Sequence, residues 1–388
     1  MILIQNATVY APEKLGKTDI LVGGGRILAL APNLSASALP GTVRVMDAEG
    51  MAVVPGFIDL HQHFTGGGGE GGFETRAPEM TLTMNTTNGV TTALGLLGTD
   101  GISRNVESLL AKTRAFNRQG ITAFMLTGAY WLPSPTLCGS VSRDIGFLDP
   151  VVGVKLAMAD HRGPGYTTLE LAKLAAEIRT AAMLAAKPGI LVIHTGVEAP
   201  GLTPVFEVLD DHPIRPDLFL PTHVNRRGGR VTAQALELAA RGCVIDATCV
   251  AEDADAGMQS AADLAWLAHE NHLFDQVSFS SDAGGSLPRW NEDRTTLLGM
   301  DVGDPSTLAV ELRRLVLGRG MDLSRALAPL TTTPARILGL TGTKGCIQES
   351  AHADLLILDP ATLEIRDVLA QGEIMVENQV AVKKGIFE

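Results

Sequence analysis

Two histidines one residue apart, His61 and His63, close the apolar run Val53-Val54-Pro55-Gly56-Phe57-Ile58-Asp59-Leu60-His61-Gln62-His63. A run of this length with Val, Phe and Ile reads as a buried strand, and side chains on a strand alternate faces. His61 and His63 therefore point the same way. Their Cα atoms would lie about 6.7 Å apart, so both imidazoles can converge on one ion. Gly66 to Gly69, Glu70, Gly71 and Gly72 follow almost at once. A strand that delivers two ligands and opens into a glycine loop has the form of a metal site at the carboxyl edge of a sheet. Two buried, satisfied histidines before a loop are the plainer alternative.

Four more residues with the right chemistry end or interrupt later apolar runs. They are Lys155 in Val152-Gly153-Val154-Lys155-Leu156-Ala157, His194 in Leu191-Val192-Ile193-His194, His223 in Leu220-Pro221-Thr222-His223 and Asp282 in Phe279-Ser280-Ser281-Asp282. A charged lysine within a strand is costly unless it is paired or neutralised. Burial lowers its pKa and frees an amine that can add carbon dioxide. The resulting carbamate has two oxygens and can bridge two cations about 3.5–4 Å apart. A salt bridge to a carboxylate such as Asp160 is the other use of the same lysine. Any one of these histidines could be a satisfied core residue; the six residues together point to metal.

The elements that must position them alternate. After the opening run, candidate strands are Val90–Gly98, Ile121–Tyr130, Val151–Asp160, Gly189–Gly196, Leu218–Val224, Gly242–Cys249 and Val277–Gly284. Helical periodicity falls between most of them, at Ser103–Gln119, Thr168–Lys187, Thr232–Ala240 and Ala256–Asn271. Eight strands alternating with helices predict an α/β fold, a (β/α)8 TIM barrel with its chemistry at the strands' carboxyl ends. A doubly wound open sheet is the alternative, but His61-Gln62-His63 intervenes before the glycines and no obvious helix follows them. Asp322–Leu340 reads as short helices broken near Pro329 and Pro334. Residues 1–54 and 342–388 both read as short strands with turns, including the hairpin signal at Gly23-Gly24-Gly25. The termini are expected to pair into one small β-sandwich domain, leaving 55–341 as the barrel.

Composition narrows the function. A net charge of −12 over 388 residues argues against a nucleic-acid partner. There is no basic tract for an anionic membrane and no apolar run of the roughly 18 residues a span needs. The N-terminus carries no charged-then-apolar signal. The four cysteines form no C-x-x-C pair and suggest reduced thiols, hence a cytoplasmic protein.

His-x-His on the first strand, Lys on the fourth, His on the fifth and sixth and Asp on the eighth resemble the amidohydrolase superfamily. Within it, Gly66-Gly67-Gly68-Gly69-Glu70, Leu96-Leu97-Gly98-Thr99-Asp100, Leu126-Thr127-Gly128-Ala129-Tyr130, Asp160-His161-Arg162, Thr222-His223-Val224-Asn225-Arg226 and Ser281-Asp282 are similar to the isoaspartyl (β-aspartyl) dipeptidases over nearly the whole chain. The resemblance implies zinc-dependent hydrolysis of the isopeptide bond of β-aspartyl dipeptides. Two Zn2+ would be held by His61, His63 and Asp282 on one side and by His194 and His223 on the other, bridged by N6-carboxylated Lys155 and hydroxide. Asp282 would be general base and acid, and Tyr130 would stabilise the oxyanion. Glu70 would meet the substrate amine, Thr99 the aspartyl α-carboxylate, and Arg162, Arg226 and Ser286 the leaving residue's carboxylate. It also implies a homo-oligomer, an octamer. A zwitterionic dipeptide needs one anion and several cations, which Glu70, Arg162 and Arg226 supply. The family's Met-Gly-Asp-like continuation of strand five is replaced by Thr195-Gly196-Val197-Glu198, which bears on fine substrate preference. A hydantoinase- or dihydroorotase-like cyclic-amide hydrolase on the same centre, a mononuclear deaminase and a catalytically inactive scaffold are the competing readings.

Overall fold

The structure is a computed structural model that describes residues 1–163, 165–226, 229–251, 258–291 and 296–388. Eight parallel strands run in chain order around one sheet: β1 (Phe57–Gln62), β2 (Val90–Gly95), β3 (Thr122–Gly128), β4 (Val151–Met158), β5 (Ile190–Thr195), β6 (Phe219–Thr222), β7 (Ile245–Thr248) and β8 (Val277–Ser280). The seam between β8 and β1 is closed just beyond the strands, where His63 N donates to Ala283 O at 2.7 Å and Ser281 N donates to Asp59 Oδ1 at 3.1 Å. This is the expected (β/α)8 TIM barrel.

The expected strands run past the observed ones because turn residues with apolar neighbours extend each run. Helix ends differ for a chemical reason. Ser103 is the expected start of the first helix, yet its hydroxyl and backbone N–H are taken by Asp100. Asn105 caps Val106–Gln119 instead through a capping box with Ser108, and Gly120 stops it at φ +111°. Thr168–Ala185 is capped in the same way by Thr167 and Glu170. The last expected helix is Ala261–Glu270, capped by Ser260. Ala256 and Gly257, where it was expected to begin, lie outside the described residues.

Two apolar layers hold the barrel. One cluster packs strands against the surrounding helices. A second gathers Ile58, Leu60, Leu94, Leu96, Leu126, Val152, Ile190, Val192, Leu220 and Val244, drawn from seven consecutive strands or their ends, against Ala335 and Leu338. That second cluster is the barrel's interior plug, with the short helices of 323–337 beneath it.

The termini pair as expected. Strand Ala52–Pro55 lies antiparallel to Leu355–Leu358 in a seven-stranded sheet made from both ends of the chain. A four-stranded sheet of N-terminal strands faces it over Ile4, Ile20, Val22, Val53, Leu355 and Ile357. Ala52–Pro55 runs almost directly into β1, so the sandwich is tied to the strand that carries the histidine pair.

Candidate active site

The first histidine pair is aimed by an irregularity. In β1 the register with β2 shifts between Asp59 and Gln62. Leu60 joins the interior plug, yet His61 beside it also faces the barrel centre. Strict alternation forbids that, and a bulge permits it. A second shift, between β3 and β4, falls where Met125 pairs with Val151 and Leu126 with Gly153. Val152 therefore belongs to the plug while Lys155, three residues on, reaches the site. Each bulge switches a strand from its apolar lower layer to its polar upper one.

His61 Nε2 and His63 Nε2 lie 3.4 and 3.2 Å from Asp282 Oδ1. The ligand atoms of these three residues all lie within 4.8 Å of one another. Asp282 Oδ1 and the Nδ1 atoms of both histidines are buried with no hydrogen-bond partner. Burial holds the His61 imidazole neutral, its pKa well below the ordinary 6.5. Two imidazoles and a carboxyl group that converge while these buried atoms lack partners fit a divalent cation. Asp282 and His223 sit at φ +53° and +60°, left-handed backbone that non-glycine residues adopt at a cost of about 1–3 kcal/mol. Both turn back over the barrel mouth immediately after their strands.

His194 and His223 complete a row of imidazoles. Ring centroids are 5.5 Å apart from His63 to His61, 4.8 Å from His61 to His223 and 4.7 Å from His223 to His194. His223 Nδ1 is 2.6 Å from Thr248 Oγ1, which leaves its Nε2 as the free ligand atom. His194 Nε2 is 2.9 Å from Asp160 Oδ2 and its Nδ1 is 2.9 Å from the Tyr130 hydroxyl. With a carboxylate on Nε2, the proton sits there and Nδ1 carries the lone pair. The converging three-ligand group therefore contains His61, His63 and Asp282, while His194 keeps both nitrogens on protein partners.

Lys155 is wholly buried, and its Nζ is 3.1 Å from His61 Nε2. Burial pushes its pKa down to about 7, with Asp282 and Asp246 opposing. Asp160, considered above as its salt-bridge partner, is occupied by Arg162 and His194 instead.

The residues expected to meet substrate fall into two groups. Glu70 Oε1 lies 2.9 Å from Arg162 Nη1, and Ser286 Oγ donates to the same carboxylate at 3.0 Å. Ser286 comes from the hairpin β9 (Ser286–Trp290) and β10 (Leu297–Val302), which sequence periodicity did not reveal. Arg226 donates its Nε–H to Thr195 O at 2.6 Å and faces Tyr130, Asp160 and Asp282 electrostatically. Thr99 has a buried hydroxyl beside the Tyr130 phenol. The glycine run is packed, not loose. A Cβ on Gly66 would fall 2.2 Å from Ala77 O, and one on Gly68 2.5 Å from Thr75 O. Arg104 clamps this loop through Thr65 O and Ala77 O.

Two buried carboxylates escaped the sequence reading. Asp59 accepts from Gln62 Nε2 at 2.8 Å and from the Ser281 N–H, so it holds the residue before Asp282. Asp246 accepts from Thr222 Oγ1 and Ser278 Oγ, both at 2.7 Å. Burial raises them to about 6 and about 7. Their signal was the one used for Lys155, an ionisable residue inside an apolar strand.

Comparison with known proteins places this geometry. An amidohydrolase family model matches residues 221–386. A crystal structure of a beta-aspartyl dipeptidase from Fervidobacterium islandicum AW-1, in complex with beta-Asp-Leu dipeptide, superposes with TM-score 0.93 at 36% identity, covering 99% of this chain and 98% of that one. A D-hydantoinase structure superposes with TM-score 0.68 at 18% identity over 99% of this chain and 96% of its own, a likeness of fold. A dihydroorotase from Clostridium acetobutylicum is 32% identical over 112 residues, 28% of this chain and 25% of that protein. The match to that curated relative thus spans about a quarter of its length. Among the described residues, no helix is long and apolar enough to cross a membrane.

Proposed function

The chain belongs to the amidohydrolase family, and on that premise we propose that it hydrolyses the isopeptide bond of β-aspartyl dipeptides with a bound pair of divalent cations, zinc by family resemblance. The observation that carries this reading is the Glu70–Arg162 ion pair, 2.9 Å long and joined by Ser286, beside the imidazole row. A zwitterionic dipeptide can replace both halves of it, its ammonium taking Glu70 and its carboxylate taking Arg162. A cyclic amide brings no ammonium and leaves that exchange unbalanced.

His61, His63 and Asp282 would hold one cation, and His194 Nδ1 with His223 Nε2 the other. Lys155, carboxylated at Nζ, would contribute to both. Such a centre supplies Lewis acidity toward a carbonyl and lowers the pKa of water enough to give a nucleophile near neutrality. The protein's own groups do the rest. Burial keeps the Tyr130 phenol protonated, its pKa raised above the ordinary 10. Its O–H can leave His194 and donate to the carbonyl oxygen as negative charge develops there. The Asp282 carboxylate takes the proton from the attacking water and delivers it to the leaving amine nitrogen. Thr99 takes the aspartyl α-carboxylate, while Arg162, Arg226 and Ser286 take that of the leaving residue.

The test offers β-Asp-Leu, α-Asp-Leu, hydantoin and dihydroorotate to protein supplied with zinc and bicarbonate. Cleavage of β-Asp-Leu alone supports the dipeptidase. Turnover of a cyclic amide in its place rejects the substrate assignment while keeping the centre. Inertness toward all four, in protein that takes up little or no zinc, supports the scaffold reading.

A further inference from the structure

Asp160 touches two machines at once. Its Oδ1 accepts from the Arg162 backbone N–H and from Arg162 Nε, each at 2.9 Å. Its Oδ2 accepts from Arg162 Nη2 at 2.8 Å and from His194 Nε2 at 2.9 Å. The carboxylate is thereby saturated, with its side chain only 7% exposed. The contacts also close into a ring. The Arg162 guanidinium lies over the Tyr130 ring, 5.4 Å from its centroid, and the Tyr130 hydroxyl returns to His194 Nδ1 at 2.9 Å. The backbone is built for this approach. Ala159 turns at φ +55°, and a Cβ on Gly196 would fall 1.9 Å from Ala159 O and 2.7 Å from Asp160 Cα. Only glycine after Thr195 lets the Asp160 turn close on the end of β5.

We propose that Asp160 is a positioning residue that sets the His194 tautomer and the Arg162 orientation together, tying cation binding to recognition of the leaving residue's carboxylate. The carboxylate half rests on the dipeptidase reading; the tautomer half does not. Accepting from Nε2–H leaves the lone pair on Nδ1, directs it into the imidazole row and raises its basicity. The same carboxylate holds two arms of the Arg162 fork in plane, so that Nη1, paired with Glu70, is the arm a ligand carboxylate can take over. Because one group anchors both, filling either site changes the affinity of the other, and the effect is reciprocal.

Asp160→Asn isolates the role. An amide has one acceptor oxygen, so its NH2 must face either a guanidinium donor or His194. Facing His194, it moves the imidazole proton to Nδ1 and removes the ligating lone pair. We expect Asp160→Asn to lose about 10–100-fold in affinity for one of the two metal equivalents, measured by chelator competition. The other equivalent should be unchanged. Nitrogen NMR of metal-free protein should show His194 switching from the Nε2–H to the Nδ1–H tautomer. At saturating metal, KM for β-Asp-Leu should stay raised about tenfold while kcat recovers. Wild-type metal affinity together with an unchanged His194 tautomer would overturn the proposal. Asp160→Glu guards against a misfolded amide variant. It should keep the Nε2–H tautomer yet retain the raised KM, and wild-type values for both KM and metal affinity would also overturn it. Wild-type protein that holds metal but leaves β-Asp-Leu intact would overturn the dipeptidase reading alone, because metal affinity and tautomer are read without substrate.

Discussion

Glu70 and Arg162, 92 positions apart in sequence, meet across the barrel mouth with Oε1 and Nη1 2.9 Å apart. The residue assigned to an ammonium and the residue assigned to a carboxylate neutralise each other. On the proposed dipeptidase reading substrate exchanges with this pair, and affinity is then the difference between two sets of ion pairs rather than the gain of one.

Glu70→Gln should therefore lower kcat/KM for β-Asp-Leu by about 10–100-fold, the worth of one charged hydrogen bond, with metal content unchanged. N-acetyl-β-Asp-Leu carries no ammonium. The parent should discriminate against it and the variant should not. Equal ratios of the two substrates in parent and variant would remove the amine-binding role.

Tyr130→Phe deletes the donor that burial keeps protonated. Steady-state kinetics should show kcat down about 10²–10³-fold with KM altered little, as for loss of one oxyanion donor. A loss confined to KM would make Tyr130 a ground-state contact.

Lys155 should govern the stability of the metal-free, carbon-dioxide-free protein above neutrality. Its amine titrates near the ordinary 10.5 when unfolded and at about 7 when folded. Below about 7 both states are protonated, so the penalty of the buried charge is full and constant. Between about 7 and 10.5 the unfolded chain binds a proton that the folded chain lacks, so stability rises with pH. Lys155→Met removes this titration. Denaturation curves should show the variant more stable than the parent by about 1–3 kcal/mol near pH 6, with the gap closing toward pH 10. A gap independent of pH would contradict the buried, depressed amine.

Lys155→Ala should lose bound metal and activity together, and a small carboxylic acid in solution should restore part of both by standing in for the carbamate. Full metal content in Lys155→Ala would exclude a bridging role.

Stripping metal from the parent should lower Tm, and adding zinc with bicarbonate should restore it. Cation at about 100 times its Kd stabilises by about 2.7 kcal/mol. His61→Ala should reduce or abolish that recovery, because His61 Nε2 faces both Asp282 and Lys155. A full thermal recovery in the variant would place the stabilising cation elsewhere.

The sequence by itself determined the alternation of strands and helices, the pairing of the two termini and the residues at the strand ends. These follow from local rules: apolar period, capping chemistry and the cost of an ionisable group in an apolar run. Such rules marked His61, His63, Lys155, His194, His223 and Asp282. Asp59 and Asp246 obeyed the same rule and were passed over. The tertiary structure alone decided which atoms meet. The bulge in β1 lets Leu60 enter the plug while His61 turns to the site, and alternation cannot show it because a bulge is set by pairing with β2. Asp160 was weighed as a partner for Lys155 by proximity in sequence. The turn at Ala159 carries it away, to His194 and Arg162. Ser286 reaches Glu70 from a hairpin without helix-like or strand-like periodicity, and their contact spans 216 positions. Partners at that separation are chosen by closure of the barrel, whose geometry no single segment contains.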